Sequence, residues 1–300
     1  MGGSTAGGGM LVVGDAMLDV VAVPDGPVPF EPAELDYVEA DIELRAGGTG
    51  VNLALAAVAR GYAPVHLLCS LGAGTGPGGV DPAGAFLLDA LAPSGVHPLV
   101  NAASGPGTGT VSVGYVGDGE RVMFGSPGAN RAPLCERAVA AALSALDSCG
   151  VLVVSGWMLF RPSTRGAVGL IMSEAAGRGI PVVLDVVPHR LHRTIRATEF
   201  HEATGGAVDY VAGNALTFAR LFAVDAAGAA PEPMAGRLLG FFTGALVHGD
   251  GRYAVAHRTR GARGGPFPRP ADRGGLRGAS DRLLVSVVGD HFLDGPPDPG

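Results

Sequence analysis

Val151-Leu152-Val153-Val154 is a short apolar run. A helix-length segment, Ser163–Arg178, follows it, and then a second apolar run, Pro181–Asp185. Short continuous apolar runs read as strands buried on both faces. Two of them joined through a helix make a β-α-β unit, which requires parallel pairing and helices over the sheet. The same alternation continues as strand Val208–Ala212, helices Asn214–Phe222 and Pro233–Phe242, strand Ala245–His248 and a last helix from Ser280 to about Phe292. Upstream, Leu11–Val13 and Val65–Cys69 read as buried strands. Gly50–Arg60, Pro82–Leu91 and Pro133–Leu146 read as helices. The fold class expected is a three-layer α/β/α with a mostly parallel central sheet.

Three segments break this pattern. Val20–Val23 and Tyr37–Arg45 read as strands, the latter alternating apolar with polar residues. Thr110–Val116 and Arg121–Phe124 flank Gly117-Asp118-Gly119, a hairpin signal. They predict a small β lid, with strands near 16–45 and 108–126, over one end of a single α/β domain spanning 10–295. The Gly-rich leader 1–9 is expected to be disordered.

The chain has 300 residues, including 50 Gly and 23 Pro, yet 47% are hydrophobic and 16% charged, so a large core can form. All 21 basic residues are Arg. That excludes a P-loop lysine and a Schiff-base lysine. Net charge is −7, against the basic surface that nucleic-acid binding needs. The Arg-dense stretch Arg252–Arg282 also carries many Gly and Pro and reads as a solvated loop. No apolar run approaches the length of a membrane span, and Asp15 interrupts the N-terminal apolar stretch, so no secretory signal is expected. Cys69, Cys135 and Cys149 are scattered and read as small buried hydrophobes. These features predict a soluble cytoplasmic protein.

In open α/β sheets ligands bind outside the carboxyl ends of the strands. The loops after Val13, Cys69, Val154, Asp185, Ala212 and His248 are therefore where chemistry is expected. Gly74-Thr75-Gly76-Pro77-Gly78-Gly79 formally fits a dinucleotide motif, but Pro77, Asp81 and Pro82 delay the helix that must meet the pyrophosphate. It reads as a flexible loop, and an oxidoreductase would rest on it alone. Ser155-Gly156 lacks the preceding Gly of a nucleophile elbow. His189 and His192 have no third ligand nearby and read as a surface pair. Gly47-Gly48, followed by Asn52, is more specific. Paired glycines let backbone approach a ligand, and Asn on a first helical turn offers donor and acceptor to a hydroxyl. Gly278-Ala279-Ser280-Asp281 precedes the last helix. Free N–H groups there would suit a phosphate, and the carboxylate could take a hydroxyl proton; an ordinary N-cap fits the same residues.

In order and spacing these motifs resemble the ribokinase (PfkB-type) family of sugar and nucleoside kinases from about Leu11 to Phe292. The resemblance implies that Asp281 is the catalytic base, with an anion hole at Gly278, Ala279 and Ser280. It implies an acceptor pocket at Asp19, Gly47, Gly48 and Asn52. Asp81-Pro82-Ala83-Gly84 with Gly95-Val96, and Gly128-Ala129-Asn130 after the hairpin, are similar to further family motifs. Asn214 and Gly249 would face the nucleotide. ATP and Mg²⁺ are the implied cofactors, the metal ligands being unassigned, and a sugar, nucleoside or polyol is the implied acceptor. A homodimer through the lid is also expected. The chain departs from the pattern at Ser280 (normally Gly), Gly275, Thr217 (normally Glu) and Val247 (normally Thr), and 19 residues follow Asp281 where relatives continue for two more helices. Two readings follow: an ATP-dependent kinase, or a kinase-fold protein that binds a hydroxylated ligand without phosphorylating it.

Overall fold

The computed structural model describes residues 8–25, 39–115, 121–187, 191–225, 229–267 and 279–290. Their strands are β1 Gly9–Val13, β2 Met17–Pro24, β3 Ala40–Gly47, β4 Val65–Gly72, β5 Val96–Ala103, β6 Gly109–Tyr115, β7 Arg121–Ser126, β8 Cys149–Ser155, β9 Val182–Val186, β10 Tyr210–Asn214, β11 Gly244–Gly249, β12 Arg252–His257 and β13 Gly261–Pro266. The helices are α1 Thr49–Ala59, α2 Pro82–Leu91, α3 Glu136–Ala145, α4 Gly156–Leu159, α5 Pro162–Gly177, α6 Ala197–Thr204, α7 Ala215–Leu221, α8 Pro231–Leu238 and α9 Ala279–Val288. Gly9, expected in the leader, is the first residue of β1; residues 1–7 lie outside the described part.

Nine strands form one sheet in the order β13-β12-β11-β10-β9-β8-β1-β4-β5. Every pair from β5 to β11 is parallel, and β12 and β13 add antiparallel. Alternate residues of each strand face opposite layers, so both faces need covering. Leu11, Val13, Leu152 and Val154 point into a core with α3, α5, α6, α7 and α8. Met10, Val12, Val151 and Val153 point into a second core with α1, α2 and α9. From β1 the chain winds outward to β4 and β5, then returns to the other side of β1 at β8. The order reverses between β1 and β8, and the crevice of an open α/β sheet opens at such a point.

A second sheet has the order β3-β2-β6-β7, with β2 and β6 parallel. Its register puts Ile42, Ala22, Gly114 and Val122 in one cross-strand row, and Leu44, Val20, Ser112 and Phe124 in the next. Ile42 is 70% exposed and Phe124 72%, so this apolar face is open. Val21 and Val113 point the other way and are buried. The hairpin tip at 117–119 lies outside the described residues.

Several expectations change. Val96–Ala103 is an unforeseen strand; it tolerates Pro98 because β5 is the sheet edge, where a missing N–H breaks no ladder. Arg252–Pro266 is not a loop but the hairpin β12–β13. Gly-Ala-Arg-Gly-Gly-Pro has no strand propensity of its own, and its pairing comes from the backbone edge that β12 presents. Asp250-Gly251, both at positive φ, form the two-residue turn that starts this hairpin, and the pairing of Gly249 with Arg252 closes it. Gly74–Gly79 is a closed turn: Gly74 N–H donates to the Gly79 carbonyl at 3.0 Å and Gly76 N–H to that of Val80 at 3.1 Å. Cys69 and Cys149 are buried, but Cys135 is exposed at the N-cap of α3.

Asp81 ties α2 to the base of the lid. Its carboxylate accepts from Gly84 N–H (2.8 Å), Thr108 N–H (2.7 Å) and the Thr108 hydroxyl (2.6 Å). Partial burial raises its pKa, but these bonds outweigh the effect and hold it below the usual carboxylate value. A depressed folded pKa stabilises above the unfolded value and is lost as pH falls through the folded one. Asp81→Asn is therefore expected to lose about 1.5–3 kcal/mol at pH 7 in urea denaturation. The deficit should shrink below pH 4; a deficit independent of pH would refute the charge-assisted role.

Candidate active site at the strand-order reversal

Asp15 follows β1, Ser155 ends β8, and Asp185 lies near the end of β9. The reversal gathers all three, and α9 adds Asp281 from its first turn. All three carboxylates are buried. Asp15 accepts from Thr49 N–H at 3.2 Å and from the Ser155 hydroxyl at 3.3 Å. Burial still raises its pKa against those bonds and the Arg161 charge. Asp185 is raised well above the ordinary value by burial first, then by the charges of Asp281 and Asp15. Asp281 is pushed up to about 7 by burial, then by the Asp15 charge, while its own N–H, Arg282 and the Asn52 side-chain amide favour the charged form. A carboxyl that titrates near neutrality can exchange a proton with a hydroxyl at working pH.

Local sequence seats these groups. α1 begins immediately after Gly47-Gly48, and Gly48 adopts φ +90°. A Cβ there would lie 2.6 Å from the Asp15 carbonyl, and one on Gly47 would collide with the Asp19 carboxyl. The paired glycines, expected to admit a ligand, first of all admit two of the protein's own acids. Asp19 is buried on β2, opposite Arg45 of β3, and carries a hydrogen-bonding or charged partner. Asn52 lies on the first turn of α1, and its side chain donates to Asp281. So Asn52 and Asp281, 229 positions apart, meet directly.

α9 is held by packing rather than by its own short length. Its Leu284, Val285, Val287 and Val288 enter the α1 core, and the Tyr62 hydroxyl donates to the Val285 carbonyl at 3.3 Å. Asp290 takes Arg60 (3.2 Å) and Arg263 (2.7 Å), which clamp the end of the helix. Ala279 is buried and Ser280 half-buried; Gly278 lies outside the described residues. Among the described non-glycine residues only Ala223 and Asp250 have positive φ. Ser280 therefore occupies the Gly position without left-handed strain. Gly275 is outside the described residues.

Asn214 and Gly249 lie elsewhere, at the carboxyl ends of β10 and β11. Asn214 caps α7, accepting from Leu216 N–H at 2.9 Å. A Cβ on Gly249 would make only ordinary contact with Ala215, so no steric need keeps glycine there. Thr217 is buried inside α7. His189 lies outside the described residues. Among the described residues no three or more His, Cys, Asp or Glu side chains are placed to hold a metal ion, and no helix is long and apolar enough to cross a membrane. Asp15 and Asp185 were not singled out as site residues from the sequence, although each stands at the carboxyl end of a strand, where the sheet rule directs attention. Asn130 of the G-A-N motif is a fastener: its amide donates to the Ala16 carbonyl at 3.0 Å and so fixes the β1–β2 link beneath the lid.

A family model described as pfkB family carbohydrate kinase matches residues 9–230. No curated protein sequence matches the chain. Among solved structures, ribokinase from Giardia lamblia superposes with TM-score 0.71 at 18% identity, covering 92% of this chain and 81% of that one. Adenosine kinase from Sinorhizobium meliloti gives 0.72 at 18%, covering 94% and 86%. Arabidopsis thaliana ribokinase, solved with ribose and ATP, gives 0.66 at 18%, covering 94% and 85%. At such identities the likeness establishes the fold: a ribokinase-like α/β/α sandwich with a small second sheet.

A buried acid with a raised folded pKa costs stability once it must ionise. That cost is absent below the unfolded value and grows as pH rises toward the folded one. Asp281→Asn should therefore be more stable than the wild type at pH 8, by about 1–4 kcal/mol, and equal to it near pH 4. Thermal denaturation across that range checks this; a variant less stable at pH 8 would show that Asp281 is not a strained ion.

Proposed function

We propose that this chain, which belongs to the pfkB family of carbohydrate kinases, transfers the γ-phosphoryl group of ATP to a hydroxyl, a CH₂OH, of a sugar, nucleoside or related polyol. The observation that carries the reading is Asp281: a buried carboxyl pushed up to about 7, held by Asn52, at the start of a helix beside the strand-order reversal. In this role Asp281 takes the proton of the acceptor hydroxyl as that oxygen attacks phosphorus in line. Asn52 orients the carboxylate. N–H groups of Gly278, Ala279 and Ser280 form the anion hole for charge on the transferring phosphoryl. Asp19, with backbone at Gly47 and Gly48, holds acceptor hydroxyls. Asn214 and Gly249 face the nucleotide. A magnesium ion would rest chiefly on the ATP phosphates, because the described residues offer no cage; in that position it would neutralise phosphate charge. The lid excludes water, which suppresses idle ATP hydrolysis.

Asp281→Asn should lower turnover by about 10²–10⁴ while still binding acceptor, as followed by ADP release and by calorimetry. In the wild type kcat/KM should rise with pH through a midpoint near 7, because the base must be ionised. Asp15→Asn should lower that midpoint by removing a neighbouring charge. Undiminished turnover in Asp281→Asn would remove it from the chemistry. The binding-only alternative finds support in Thr217, which is buried and brings no carboxylate to α7. Thermal stabilisation by a polyol but by no nucleotide would favour it.

The open lid face suits a second copy, which would cover Ile42, Leu44 and Phe124. Ile42→Glu with Phe124→Glu should sediment as a monomer at concentrations where the wild type is dimeric. A monomeric wild type at high concentration ends this part of the proposal.

A further inference from the structure

β8 delivers the chain to the reversal and then turns at once into α4. Ser155 makes that turn: its hydroxyl donates to Asp15 at 3.3 Å and accepts from Trp157 N–H at 3.3 Å. Gly156 packs so tightly that a Cβ would lie 3.0 Å from the Asp185 carbonyl and 3.1 Å from the Phe160 ring. α4 is thus set hard against the carboxylate crevice. Two side chains stand on it. Trp157 is 37% exposed, an unusual position for the chain's single tryptophan. Arg161 follows the helix and lays its guanidinium over the indole, 5.8 Å from the ring centroid, while its Nε donates to the Trp157 carbonyl at 3.0 Å. Both contacts fix the arm of Arg161 and leave the two terminal amino groups free to bond outward.

The electrostatics of this corner do not balance. Arg161 is half-buried, and burial lowers its pKa; Asp15 attracts its charge and Arg131 repels it. Two guanidinium groups therefore share one side of the crevice. Arg131 follows Asn130, whose side chain is bonded to Ala16, so its backbone is fastened beside β1. Among the described residues neither Arg131 nor Arg161 makes a salt bridge, and the only hydrogen bond of Arg161 is the one to Trp157. Other arginines of the chain are paired: Arg60 and Arg263 with Asp290, Arg178 with Asp147 and Glu174, Arg252 with Glu232. Asp15 is no substitute partner, since its two oxygens are engaged with Thr49 and Ser155. A desolvated, pre-aimed guanidinium without a carboxylate is a site for an anion from outside.

We propose that Arg161, seconded by Arg131 and backed by Trp157, selects acceptors that carry an anionic group, a carboxylate or a phosphate, at the end remote from the reacting hydroxyl. This deepens the kinase reading and rests on it for the identity of the pocket. The anion would bond the terminal amino groups of Arg161, and the apolar face of the acceptor would lie along the indole. Arg161 is then a specificity residue that acts on binding and not on the phosphoryl transfer.

The test uses glucose, gluconate and glucose 1-phosphate, which share a terminal CH₂OH and differ at the other end. Wild type, Arg161→Gln, Arg161→Lys and Arg131→Gln are compared. The wild type should favour gluconate or glucose 1-phosphate over glucose by at least tenfold in kcat/KM. Which of the two it favours decides between carboxylate and phosphate. Arg161→Gln should raise KM for the anionic acceptors by about 10–100-fold, leave kcat within a few-fold and leave glucose unchanged; Arg161→Lys should recover part of the loss. Equal use of all three by the wild type, or an equal loss on all three in Arg161→Gln, overturns the proposal. Thermal stabilisation by the three compounds without nucleotide keeps the two readings apart. If no acceptor is phosphorylated, yet the anionic ones stabilise the wild type and not Arg161→Gln, the kinase reading fails and the anion site stands. If the anionic compounds stabilise both proteins alike, the anion site fails whatever the turnover.

Discussion

Three carboxylates, Asp15, Asp185 and Asp281, share a water-poor crevice in which each raises the cost of ionising another. Such a cluster opposes folding. It persists because the surrounding structure over-determines it: β1, β8 and β9 are buried on both faces, and α9 is clamped by packing and by Asp290. Much of the architecture around the reversal serves this one constraint. Glycines at 47 and 48 make room for Asp19 and Asp15, Ser155 satisfies one oxygen of Asp15, and Asn52 stabilises Asp281. A raised pKa is the expected consequence, and it poises a proton acceptor near neutrality.

The lid follows from the same logic by another route. A pocket that must exclude water needs a cover, and a four-stranded sheet on β2 and β3 provides one. Asn130 and Asp81 fasten it at its base, through Ala16 and Thr108 respectively. Its inner face carries Asp19 into the pocket. Its outer face carries Ile42, Leu44 and Phe124 toward water, a rare arrangement for so contiguous an apolar surface. The two faces of one small sheet therefore bear on different questions, one on the acceptor and one on assembly.

The fold was legible where local pattern and burial agree. The apolar runs at Leu11–Val13, Val65–Cys69, Val151–Val154 and Pro181–Asp185 are strands because a parallel sheet buries them on both sides. Legibility failed where pairing overrides propensity. β13 consists largely of Gly, Arg and Pro and exists only as a partner of β12, and β5 keeps a proline because it is an edge. The dinucleotide-like glycines misled because their spacing says nothing of Asp81, whose side chain occupies the N-terminus of the helix that follows.

The chain by itself determined the α/β alternation, the lid strands and the motifs at Gly47–Asn52 and Gly278–Asp281, because these rest on periodicities and spacings within tens of residues. It also carried the absence of lysine, which removed whole classes of mechanism. Only the tertiary structure decided that Asn52 meets Asp281, that Asp15 and Asp185 join them, and that Arg161 is held over Trp157 without a carboxylate. Those relations depend on which strands become neighbours where the sheet order reverses. Electrostatic coupling acts through space and solvent exclusion, and no local pattern encodes either.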